Sequence, residues 1–216
     1  MKKYYKIENQ IDTQEVGLNL SSQTDGLVGN ATFNSEHSFK QFTHHNLPED
    51  FNPTETIKLA NSAKQTDFIS TGLITGNGFI VSKRLKDLLE NFKIVDHKFY
   101  HIPILHRQSK VSDYFWFHMY SPKQEYIDFE NSTFQVKKFS KVIEDNLKFD
   151  SIDDYWAKRK NYKPGQLFRI KEVKLKQNDF DFLYLGVGGS TKLISKELNE
   201  KLNEMKITGY KVSEWS

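Results

Sequence analysis

A helix–strand unit that occurs twice constrains this chain more than any other stretch. In residues 79–104, FIVSKRLKDLLENFKIVDHKFYHIPI, Leu85, Leu88, Leu89 and Phe92 recur at i, i+3, i+4 and i+7. That spacing predicts the apolar face of an amphipathic helix. Ser82 stands just ahead, where its hydroxyl can accept from a free amide of the first turn. Lys83, Arg84, Lys86, Asp87 and Glu90 fall largely on the other face. Residues 98–105 are then rich in aromatic and aliphatic side chains and predict a strand. Pro103 inside that run argues for an edge position or an early end.

The unit returns near the C-terminus. LISKELNEKLNEMKITGYKV, residues 193–212, lies over the first copy without a gap at an offset of 113, as Ser82 meets Ser195. Lys83 then meets Lys196, Leu85 meets Leu198, Leu89 meets Leu202, Phe92 meets Met205 and Ile94 meets Ile207. Thr208-Gly209 supplies the helix-to-strand turn, where glycine accepts a left-handed conformation. Two widely spaced copies do not make a solenoid, which needs about three short-period repeats. The expectation is one α+β domain over 1–216 with an internal duplication, 79–104 and 192–215. Its sheet is mainly antiparallel or mixed and carries two amphipathic helices.

A hydrophobic residue, then Ser, Lys or Arg, any residue and Leu, with a second Leu four residues on and a strand after, resembles a family of bacterial polymorphic-toxin immunity proteins. That family was formerly classed as a domain of unknown function. Further landmarks follow in the family's order: Tyr4-Tyr5, Asp67-Phe68, Ile127-Asp128 with Ser132, and Leu167-Phe168-Arg169. The resemblance implies a protein that binds and neutralises a cognate toxin, often a nuclease. It carries over no catalytic residue.

Between these landmarks the chain alternates short strands with turns. Strands are expected at 3–7, 27–28, 31–33, 56–60 and 67–70, with Gly29-Asn30 as a turn. The intensely aromatic run 113–120, DYFWFHMY, predicts a strand covered on both faces. Strands at 126–129, 133–136, 166–175 and 182–185 follow, with a short helix over 153–161 stopped by Pro164-Gly165.

Composition enters mainly to exclude. The 216 residues suffice for one good-sized core, and 14% aromatic content is too high for a disordered chain. With 31 basic and 28 acidic residues the net charge is only +3, so bulk charge points to no nucleic-acid partner. Cysteine is absent, which removes disulfides, zinc–thiolate sites and cysteine nucleophiles. No apolar segment follows Lys2 and Lys3, and no run of ~20 apolar residues occurs. The expected location is the cytoplasm, with no membrane partner.

Several constellations invite chemistry, and each has a plainer reading. His97 and His101 on a strand lie ~13 Å apart, too far to share a zinc ion with each other. His106 and the pair His44-His45 add no ligand set. The Gly-rich run 186–192, GVGGSTK, departs from the phosphate-loop pattern because Lys192 follows Ser190-Thr191 rather than preceding them. It reads as a flexible turn between strand and helix. The acid pairs Asp153-Asp154, Glu49-Asp50 and Asp179/Asp181 read as solvated surface, and Ser82 and Ser195 as helix caps. No cofactor or metal is expected. Lys137-Lys138, Lys141 and Lys158-Arg159-Lys160, near Tyr155, Trp156 and Tyr162, could stack and hold single-stranded nucleic acid. Asp150, Asp153 and Asp154 beside them oppose phosphate and suit a protein partner better. Asp150, Asp153, Asp154, Tyr155 and Trp156 are therefore the expected toxin-contact surface. The alternatives are a nucleotide- or nucleic-acid-processing enzyme using the histidines, and a nucleic-acid-binding module using 137–160.

Overall fold

In the computed structural model, residues 2–17, 22–29, 38, 39, 42, 48, 49, 51–74 and 77–215 are described. The chain runs β1 (Tyr4–Asn9), α1 (Thr13–Val16), β2 (Thr24–Val28), β3 (Thr56–Leu59), β4 (Phe68–Ile69), β5 (Gly78–Ser82) and α2 (Lys83–Leu89). Next come β6 (His97–His101), β7 (Ile104–His106), β8 (Ser109–Val111), β9 (Tyr114–Met119), β10 (Ile127–Lys138) and β11 (Lys141–Leu147). The last elements are α3 (Ile152–Arg159), β12 (Gln166–Leu175), β13 (Phe182–Leu185), β14 (Thr191–Ser195), α4 (Lys196–Glu204) and β15 (Tyr210–Glu214). The architecture is α+β. Rather than one sheet with two helices, the described residues form four small sheets and four short helices.

The two helix caps form as the sequence predicts. Ser82 and Ser195 are extended, with ψ of 160° in both, and their hydroxyls accept from Leu85 N and Leu198 N at 3.2 and 3.1 Å. Leu85, Leu88 and Leu89 are buried under α2, and Leu198 and Leu202 under α4. The two units also sit alike in their sheets. One sheet has the order β4-β5-β9-β6, the other β13-β14-β1-β15. In each, the strands before and after the helix flank a shared antiparallel partner, β9 or β1.

A reciprocal latch joins these sheets. Asp67, just before β4, accepts from the amide and hydroxyl of Thr208 beyond α4, each at 3.0 Å. Asp181, just before β13, accepts from the amide of Lys93 beyond α2 at 3.1 Å. Each acid thus ties down the other unit's helix exit. Gly209 follows the first latch at φ 87°, and a Cβ there would meet the carbonyl oxygen of Phe68 at 2.1 Å. Only glycine fits that approach.

Strand β9 divides the core. Phe117 and Met119 face one apolar cluster, shared with Phe79, Val81, Phe182 and Leu198. Tyr114 and Trp116 face a second, shared with Phe42, Ile57, Ile80 and Tyr100. The one strand expected over 98–105 is two strands in two sheets. β6 pairs with β9 and β7 with β3. Pro103 lies between them, where the missing amide costs no ladder bond. Conversely, the expected strands 126–129 and 133–136 are one, β10, interrupted where its register with β12 shifts between Asp128 and Thr133. Buried Ser132 fills that gap, donating to Asp128 O at 2.5 Å and accepting from Lys174 N at 3.0 Å. The strand expected at 31–33, Asn30 of the turn, His44-His45 and Asp50 lie outside the described residues.

Candidate partner-binding surface

Helix α3 is built by a local signal. Ser151 is extended and its hydroxyl accepts from Asp154 N at 3.1 Å. Asp153 and Asp154 occupy the first turn and Lys158 and Arg159 the last, so side-chain charge complements the helix dipole at both ends. Ile152 and Tyr155, three residues apart, share the buried face.

Tyr155 is accordingly a core residue, against its expected place on the surface. Its ring sits 5.1 Å from Phe149, 5.3 Å from Phe168 and 5.7 Å from Phe134. Its hydroxyl accepts from Gly188 N at 2.8 Å, and burial pushes its pKa upward. Trp156, one residue on, is turned about 100° around the helix and remains 37% exposed. Its edge closes a small cleft of about 90 Å³ with Pro122, Gln124, Tyr184 and Ser190.

A wider groove of about 540 Å³ adjoins it, sharing Pro122 and Gln124. Asp150, Ser151 and Asp153 form one wall, and Lys123, Glu125 and Lys176 stand among the others. Asp154 is committed elsewhere. It pairs with Lys158 at 3.0 Å and accepts from Asp150 N at 3.2 Å, and the Lys158 hydrogen bond holds its carboxyl below the usual range. The surface therefore offers exposed carboxylates at Asp150 and Asp153 beside an indole face. Of the five predicted residues, Asp150 and Asp153 line the groove and Trp156 lines the adjoining cleft. Asp154 serves as an ion-pair strut and Tyr155 as a buried anchor.

The basic cluster is likewise divided. Lys158 lies over the Phe149 ring at 5.2 Å and Arg159 over Phe168 at 5.7 Å, while Tyr162 donates to Glu144 at 2.6 Å. Lys137, Lys138 and Lys141 instead frame the tip of the β10–β11 hairpin. There Phe139 is 89% exposed at a φ of 55°. The sequence reading passed over this residue. Its place inside the KKFSK turn was the available signal.

The histidines do not converge. His97 contacts Val95 O, His101 contacts Ser112 O and His106 contacts Gln65, each within the reach of its own strand or neighbour. Among the described residues no group of three or more His, Asp or Glu side chains could hold a metal ion. The Gly-rich turn joins two strands, β13 and β14, rather than a strand and a helix, and Lys192 is already inside β14. Gly188, at φ 64°, lies so close to β12 that a Cβ would meet Ile170 N at 2.5 Å.

The chain matches the model of the immunity protein family Imm11 over residues 3–212. It belongs to that family. The match spans the first helix–strand unit, the second up to the middle of β15, the α3 surface and the latch acids. No curated protein matches the chain. The family shows toxin immunity in general, and among the described residues no helix is long and apolar enough to cross a membrane.

Proposed function

We propose that this chain binds and neutralises one cognate polymorphic-toxin domain, of nuclease type, in the cytoplasm. The observation that carries the reading is the family match over nearly the whole sequence. The contact surface is the α3 face, where Asp150 and Asp153 meet an exposed Trp156. Carboxylates in that position would steer and hold a basic surface such as a nuclease's substrate channel, and the indole would anchor it. The exposed Phe139 tip, framed by Lys137, Lys138 and Lys141, is a second, separate contact of opposite charge. We also read the two strand–helix–strand units as copies of one element within a single domain. Their offset of 113, matched caps and matched sheet positions support that.

The test is growth rescue. The C-terminal toxin domain encoded by the adjoining gene is expressed with and without this protein, and the pair is co-purified. Rescue with a stable complex is the expected result. Toxicity unchanged by this protein, with no complex, would overturn the reading.

A further inference from the structure

A cleft of about 400 Å³ opens beside the 188–190 turn, lined by Lys6, Glu8, Asn9, Phe79, Arg169 and Lys192. Its charges are unevenly satisfied. Lys6 and Glu8, both on β1, pair with each other at 2.9 Å. Lys192 reaches in from β14 and, among the described residues, meets no carboxylate within ion-pair distance. Its ammonium lies 4.9 Å above the Phe79 ring. Arg169, from β12, has among the described residues only a long hydrogen bond of 3.5 Å to Gly188 O. Asn9 contributes a buried side-chain oxygen without a partner. Turned by half a rotation, that amide presents its N–H groups to the cleft instead. Gly188 and Gly189, at φ 64° and 124°, bend the turn around the opening.

A partly desolvated ammonium without a counter-ion is unfavourable unless something supplies the negative charge. Burial pushes the Lys192 ammonium down to about 8, with Glu8 pulling weakly the other way. Perturbed groups of this kind gather where ligands bind. We propose that this cleft is an oxyanion site, holding a sulfate-, phosphate- or carboxylate-type group between Lys192 and Arg169 at the glycine turn. The inference goes beyond toxin binding and does not depend on it.

Inorganic sulfate is the probe, since its charge is constant across neutral and mildly basic pH. Calorimetric titration of the full chain at low ionic strength should give a single site. Lys192→Met and Arg169→Gln should each weaken it by about tenfold or more. Affinity should fall as pH rises through about 8, where Lys192 loses its proton; Lys6, Glu8 and Arg169 are the other charged groups lining the cleft. Lys192→Met should melt no lower than the parent, because it removes an uncompensated charge, so lost binding cannot be put down to unfolding. No heat at about 50 mM sulfate, or an affinity in both variants equal to the parent's, would overturn the site.

A second arm finds the anion's source. If Lys192→Met loses sulfate but keeps its affinity for the toxin domain, the occupant is a free small anion. If both fall together, the occupant is an acidic side chain of the toxin. Should the parent form no toxin complex, the toxin reading fails while the sulfate titration still decides the cleft.

Discussion

Asp67 accepts two hydrogen bonds from Thr208, one from its amide and one from its hydroxyl, across 141 residues of sequence. The Thr208 hydroxyl also accepts from Asp67 N at 3.1 Å, and Arg84 pairs with the same carboxylate at 2.7 Å. Burial of Asp67 raises its pKa, but the bonds from Arg84, Ser82 and Thr208 outweigh it and hold the carboxyl below its ordinary value.

Asp67→Asn should therefore destabilise the fold by about 2 kcal/mol in urea unfolding at neutral pH. A carboxylate whose folded pKa is depressed stabilises the fold above its unfolded pKa and ceases to as pH falls through the folded one. The gap between parent and variant should hold constant above roughly pH 5 and close in acid. A gap that persists unchanged at the lowest pH that still supports folding would mean the charge is not what matters.

Tyr155 and Trp156 should separate cleanly although they are adjacent. Tyr155→Phe leaves the Gly188 amide without its acceptor and should cost about 1 kcal/mol of stability while leaving toxin affinity within about twofold. Trp156→Ala should change stability little and weaken the toxin complex by about tenfold or more. Denaturant melts and a titration of the toxin domain read the two effects.

Phe139 holds a left-handed conformation that suits asparagine better than an aromatic residue, and its side chain is almost wholly in water. Phe139→Asn should stabilise the fold by about 0.5–1 kcal/mol, part of what relief of a left-handed residue provides, read as a higher melting midpoint. Weaker toxin binding in the same variant would mark the tip as a contact. A drop in stability would show that the ring packs in solution.

Ser82→Ala and Ser195→Ala should each cost about 1 kcal/mol, and the double variant about their sum. Equilibrium unfolding of the three variants checks this. A double variant costing much more than the sum would mean that the two caps are coupled through the Asp67–Ser82 bond at 2.7 Å.

What could be read from the sequence was what the chain encodes locally. A serine just before leucines at helical spacing caps a helix wherever it sits, so Ser82 and Ser195 were legible. Tyr155 faces inward because Ile152, three residues earlier, shares its face of α3, and the helix expected over 153–161 began one residue too late to include it. Pro103 marked a break, but nothing near it says that the two pieces join different sheets. Asp181 was legible as a surface carboxylate and Asp67 only as a landmark before a strand, because their partners Lys93 and Thr208 lie far away in sequence. Lys192 departs from a phosphate-loop pattern in sequence, and what sets it apart is spatial: Phe79 from one sheet, Arg169 from another and, among the described residues, no carboxylate within ion-pair distance.

Strand β1 lies between β14 and β15, pairing Tyr4 with Ser195 and Asn9 with Tyr210. A nascent chain therefore carries its central strand unpaired through most of translation. Contacts of such long sequence separation slow folding, because loop closure must precede any gain from pairing. The sheet that carries α4 can therefore close only once residues 191–214 have been made, so its formation is a late folding event.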